Sequence, residues 1–157
     1  MRMRRYAASV ALGTLFVVAG AGPAMAESPE EVDPLVVQML EDVPGGVLVD
    51  ATHAEWPELG MALTVPTAGD LSARTASGSC ASGLICVYKL PSLSGAFLSY
   101  SGCGVLAVPG DWTVRSMDNN RASGYAQARN VTTVLATANA GSWTNVGGTT
   151  TNIRCVF

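Results

Sequence analysis

The stretch Cys80-Ala81-Ser82-Gly83-Leu84-Ile85-Cys86-Val87-Tyr88-Lys89-Leu90-Pro91-Ser92-Leu93-Ser94-Gly95 sets the plan of this chain. A short apolar run, residues 84–89, is followed by the turn-rich spacer Pro91-Ser92-Leu93-Ser94-Gly95 and a second short run, residues 96–100. Runs of that length, punctuated by proline and glycine, read as two strands joined by a fold-over. A tight fold-over needs a residue with positive φ, and glycine takes that conformation most cheaply. Gly95 is therefore the pivot, and Tyr88, several residues earlier, can lie over the folded hairpin and shield it.

The pattern continues to the C-terminus. Further short runs occupy residues 105–108, 113–117, 125–129, 131–136 and 153–157. Between them stand Ser101-Gly102, Pro109-Gly110, Asp118-Asn119-Asn120, Asn139-Ala140-Gly141 and Gly147-Gly148. Helical periodicity is absent, and even spacing with such punctuation predicts an antiparallel β-sandwich or small barrel. An internal twofold repeat is only faintly suggested.

Upstream the chain changes character. Residues 27–70 hold ten acidic residues and no Lys or Arg, whereas residues 71–157 hold two acidic and six basic residues. Residues 67–79 are small and polar and read as a linker. Within the acidic segment, Val32, Leu35, Val36, Met39, Leu40 and Val43 recur at helical spacing. Two starts compete, the capping-box pattern Ser28-Pro29-Glu30-Glu31 and the cap-then-proline pair Asp33-Pro34, and the later is favoured for the regular helix because Pro34 would cost an earlier-starting helix one backbone hydrogen bond. Pro44-Gly45-Gly46 ends it. Residues 47–49 and 61–65 then read as two strands, joined by a connection holding His53 and Trp56. The asymmetry of charge across the linker suggests a pro-region, removed near Arg74.

The first 26 residues predict export. Met1-Arg2-Met3-Arg4-Arg5 is a basic start, an apolar run follows, and Ala24-Met25-Ala26 supplies the small residues of a cleavage site. The apolar run is short for a membrane span, so cleavage after Ala26 and a soluble secreted protein are expected. The mature chain would carry six basic and twelve acidic residues. That balance argues against a nucleic-acid partner, which relies on clustered Lys and Arg. Cys80, Cys86, Cys103 and Cys155 form an even set, which in a secreted chain reads as disulfides with three possible pairings. Their spacing is not that of a zinc site, and no metal or other cofactor is expected.

Cys80 to Tyr88 resembles the opening of the secreted proteins of peptidase inhibitor family I36, which have a βγ-crystallin-like fold. Their pattern is C-x5-C, one residue, then an aromatic opening a Greek-key motif: aromatic, four residues, aromatic, one residue, glycine. Here Tyr88, Leu93 and Gly95 occupy those places, with Leu93 at the second aromatic position. Ser101-Gly102-Cys103-Gly104 and residues 113–119 resemble later parts of the family pattern. The resemblance implies a mostly β, βγ-crystallin-like Greek-key sandwich over residues 80–157, preceded by a small α+β segment over residues 27–66. It also implies a Cys80–Cys86 pair, which leaves Cys103–Cys155. The activity implied is inhibition of an extracellular metalloprotease by a monomeric protein. The inhibitory type clamps its binding loop with a second close cysteine pair, which this sequence lacks, so the inhibitory loop is unknown and no reactive-site residue is assigned. The alternative is a non-inhibitory binding, structural or toxin-like module.

Other chemistry finds little purchase. Asp111-Trp112-Thr113-Val114-Arg115-Ser116 matches the calcium stretch of βγ-crystallins, but Trp112 replaces an oxygen ligand and Arg115 places a cation where a hydroxyl belongs. Asp111 and Ser116 are read as turn and strand residues. A hydrolase triad needs a base beside its nucleophile. The sole histidine, His53, reads as a surface loop residue, so no enzyme is expected. Asp111 and Asp118 could be imagined as a glycosidase pair, but Asp118, beside Asn119 and Asn120, reads better as a turn former. Trp112, Trp143 and Tyr125 could form a sugar- or peptide-binding face, with two of the three expected to be buried. Asn130-Val131-Thr132 matches a glycosylation sequon.

Overall fold

A computed structural model describes residues 31–67 and 80–157. The proposed signal sequence and nearly all of the linker lie outside the described residues. The fold is mostly β: one helix, a seven-stranded antiparallel sheet and a four-stranded antiparallel sheet.

The helix α1 spans Pro34–Asp42. Asp33 caps it, its carboxylate accepting the Leu35 N–H at 2.8 Å, and proline stands at the first turn. Strands β1 (Val47–Asp50), β2 (His53–Trp56) and β3 (Met61–Thr64) follow as a meander. The sequence of the acidic segment predicts a helix and two strands. The structure adds a third strand because His53 to Trp56 alternates, with Ala54 and Trp56 buried and Glu55 exposed. The segment is paired with the next region, Met61 to Thr64 lying against Tyr100 to Phe97. One core runs from Val36 and Met39 through Trp56, Leu63, Ile85 and Leu98 to Ala126, Ala128 and Ile153.

Residues 80–157 form two halves. The first holds β4 (Ile85–Leu90), β5 (Ser94–Tyr100), β6 (Gly104–Ala107) and β7 (Ser116–Asn119). The second holds β8 (Tyr125–Asn130), β9 (Thr133–Asn139), β10 (Ser142–Asn145) and β11 (Asn152–Val156). The larger sheet has the order β1-β2-β3-β5-β4-β7-β10, and the smaller β6-β11-β8-β9. Each half therefore keeps its first, second and fourth strands together and lends its third to the other sheet. The two sheets repeat one order, β5-β4-β7-β10 and β9-β8-β11-β6. That is a pseudo-twofold which the sequence only faintly suggests.

Two strands differ from expectation. Residues 113–115 lie outside any strand, and β7 instead includes Asp118 and Asn119, read from sequence as turn residues. Pairing on both edges holds them extended: Asp118 faces Cys86 and Trp143, and Asn119 faces Ile85 and Ser142. The buried Asn119 amide N–H donates to the Ala138 carbonyl at 3.2 Å, while its Oδ1 is buried with no partner among the described residues. Strand β10 was not anticipated, because Ser-Trp-Thr-Asn carries no apolar alternation.

The fold-over after β4 is left-handed at Ser92 (φ 56°), Leu93 (φ 58°) and Gly95 (φ 75°). A Cβ on Gly95 would come within 3.0 Å of Leu90 Cγ, so space as well as φ selects glycine. Leu93 folds back into a small second cluster with Cys80, Cys86, Tyr88 and Phe97. The Tyr88 and Phe97 rings lie 5.1 Å apart. Disulfides join Cys80 to Cys86 and Cys103 to Cys155. The second closes a separation of 52 residues, worth roughly 4 kcal/mol in the chain-entropy model. No helix among the described residues is long and apolar enough to cross a membrane.

Candidate functional site

Side chains alternate along a strand, so each sheet has two faces. Ile85, Val87, Leu98 and Met117 of the larger sheet point into the main core. Their neighbours Cys86, Tyr88, Phe97, Ser116 and Asp118 point the other way. Register aligns two outward rows across β4, β7 and β10: Tyr88–Ser116–Asn145 and Cys86–Asp118–Trp143.

The first row is committed to structure. The Ser116 hydroxyl donates to the Leu90 carbonyl at 2.7 Å and accepts the Leu93 N–H at 2.9 Å. Asn145 Oδ1 accepts the Ser92 N–H at 2.9 Å. These bonds hold the left-handed fold-over from the adjacent strands.

The second row is not committed. Asp118 stands between the Cys80–Cys86 disulfide and Trp143, directly opposite each across the sheet. Its carboxylate has no hydrogen-bond or ion-pair partner among the described residues. Partial burial raises its pKa above the ordinary value. The Trp143 indole is 48 % exposed. One flank is braced: the Asn120 amide donates to the Cys80 carbonyl at 2.8 Å, and the Gly83 N–H donates to the Asn120 carbonyl at 2.7 Å. A half-buried, unpartnered carboxylate beside an exposed indole can pair with a cation by charge and by the π face together.

No family model, curated protein or solved structure matches this chain.

The face as a whole has one sign. Among all seven strands of the larger sheet the only Lys or Arg is Lys89, whose ammonium lies 4.9 Å from the centre of the Trp112 ring, which belongs to the main core. The outward charged residues of β2 to β10 are Glu55 and Asp118, besides His53 at the far end. His53 is on strand β2 rather than in a loop, and its Nδ1 lies 2.9 Å from the Asp50 carboxylate. Hydrogen bonding, first from the Thr52 N–H and then with His53, lowers the Asp50 pKa to about 2.

The other residues singled out from sequence are scattered. Of the three aromatics, Trp112 is buried, Tyr125 half-buried and Trp143 exposed, so they form no common face. Asp111 is exposed in the loop before β7, and Ser116 is in β7. Asn130 ends β8, and Val131 stands at the exposed hairpin tip with φ 54°. Cys103 immediately precedes β6, and Cys155 lies in β11, where it faces Gly104. Among the described residues no three of His, Cys, Asp and Glu gather as a metal site would require.

Sequence reasoning missed Ser116 as a brace and the Asp118–Trp143 pair. Neither is separable from ordinary strand residues until register is known.

Proposed function

We propose that this chain is an exported binding module of βγ-crystallin-like plan whose outer face takes a cationic ligand, a lysine- or arginine-bearing segment of another protein. The carrying observation is Asp118, unpartnered and half-buried, directly opposite the exposed Trp143. Charge complementarity supports the choice of ligand, because the outward face of the larger sheet offers carboxylates and no Lys or Arg. The strand exchange between the two halves is what two interlocked Greek keys would produce, and it supports the βγ-crystallin-like plan. The resemblance of residues 80–95 to family I36 points the same way. Two disulfides and the N-terminal sequence support export.

Inhibition of a metalloprotease draws less support from the geometry. The Cys103–Cys155 bridge ties the residue before β6 to β11 across a separation of 52 residues, so it does not close a short loop as a clamp would.

The test is a fluorescence titration of the intact protein with oligolysine, with a neutral chitooligosaccharide in parallel. A saturable change with oligolysine alone is expected. Saturation by the sugar alone, or no change with either, overturns the cationic reading. Stoichiometric loss of thermolysin activity on adding the protein would favour the inhibitor instead.

A further inference from the structure

A second site lies at one end of the sandwich, where the loop before β7 meets the loop between β10 and β11. The two loops are joined by the Val146 N–H donating to the Arg115 carbonyl at 2.8 Å. Between them is a cleft of about 280 Å³ lined by Gly110, Trp112, Thr113, Arg115, Gly148, Thr149 and Thr150.

Three features of this lining point to one chemistry. Thr150 is 6 % exposed, and its hydroxyl is buried with no hydrogen-bond partner among the described residues. Trp112 is 3 % exposed, and its indole N–H is likewise buried without a partner. Arg115 is exposed, and its guanidinium makes no hydrogen bond or ion pair with another described residue. Buried polar groups are almost always satisfied, and an indole N–H and a guanidinium can only donate. The side chains lining the cleft include no carboxylate. Asp111 lies instead on the side of Trp112 that faces α1, with Gln38 and Asp42.

We propose that this cleft binds a small oxyanion, a carboxylate or a phosphate or sulfate group. Arg115 makes the charge-assisted contact, and the Thr150 hydroxyl and the Trp112 indole N–H supply the remaining donors. The donor set fits both a planar and a tetrahedral anion. The volume stands at the small end of the range for ligand pockets, which suits an end group rather than a whole large ligand.

The test uses the full chain and nitrogen-labelled NMR. Sodium acetate, phosphate and sulfate are titrated separately at constant ionic strength against chloride. The reporters are the indole N–H of Trp112 and the amide of Thr150, with the indole of Trp56, which donates to the Val43 carbonyl, as an internal control. At least one oxyanion is expected to give saturable shifts at the two reporters, and which one saturates separates carboxylate from phosphate or sulfate. R115Q should weaken binding at least fivefold with the remaining spectrum unchanged, and T150V should weaken it as well. Shifts that never saturate, shifts matched by chloride, or wild-type affinity in R115Q would each overturn the proposal and leave water as the occupant.

Discussion

The Ser116 hydroxyl and the Leu93 backbone N–H are 2.9 Å apart, and this contact holds the fold-over that opens the β domain. Ser92 and Leu93 are both left-handed without being glycine, a conformation that costs roughly 1–2 kcal/mol per residue. Burial of Leu93 against Tyr88 and Phe97 offsets part of that cost. Ser116 adds two hydrogen bonds, serving Leu93 and Leu90 together. S116A leaves both groups unsatisfied and should lower stability by about 1–3 kcal/mol. Urea denaturation of the two proteins measures it, and an unchanged midpoint would contradict the role given to Ser116.

The acidic segment is expected to stay with the protein after any cut near Arg74. Its β3 pairs with β5, and Trp56, Met61 and Leu63 are buried in the common core. Native mass spectrometry of the nicked protein should find both pieces together. A chain beginning at residue 80 loses the cover over Leu98 and Tyr100. It should be less stable by on the order of 5 kcal/mol, a large share of what a domain of this size has. A shortened chain as stable as the whole would show the segment to be dispensable.

Asp118 gives a pH dependence whose sign is the reverse of the usual carboxylate case. Partial burial raises its pKa in the folded state, so the fold holds this proton more tightly than the unfolded chain does. Its contribution to stability therefore rises as pH falls through the raised value and is lost at neutral pH. D118N should be more stable than wild type at pH 7, by no more than about 1 kcal/mol because solvent screens the group. The difference should vanish near pH 3. Thermal melts at the two pH values check it, and a destabilised D118N at pH 7 would show an unseen partner.

What could be read from the sequence was local. Asp33-Pro34 marks the helix start because a cap and a proline act within one turn. Gly95 marks the fold-over because φ is a property of one residue. The mostly β class follows from the punctuation between short runs. What was not legible depends on partners far along the chain. Asp118 and Asn119 look like turn residues until Cys86, Ile85, Ser142 and Trp143 are placed beside them. Strand β2 carried a usable signal in the alternation of Ala54 and Trp56 with His53 and Glu55. Trp112 and Trp143 are the same residue type, and only register and packing bury one and expose the other.

Binding at the outer face is tested most directly by calorimetric titration of oligolysine into wild type, D118N and W143A. Charge and π face act together at this site, so each variant should bind about tenfold more weakly or worse. The wild-type affinity should also weaken as pH falls through the raised pKa of Asp118. Wild-type affinity in both variants would contradict the account.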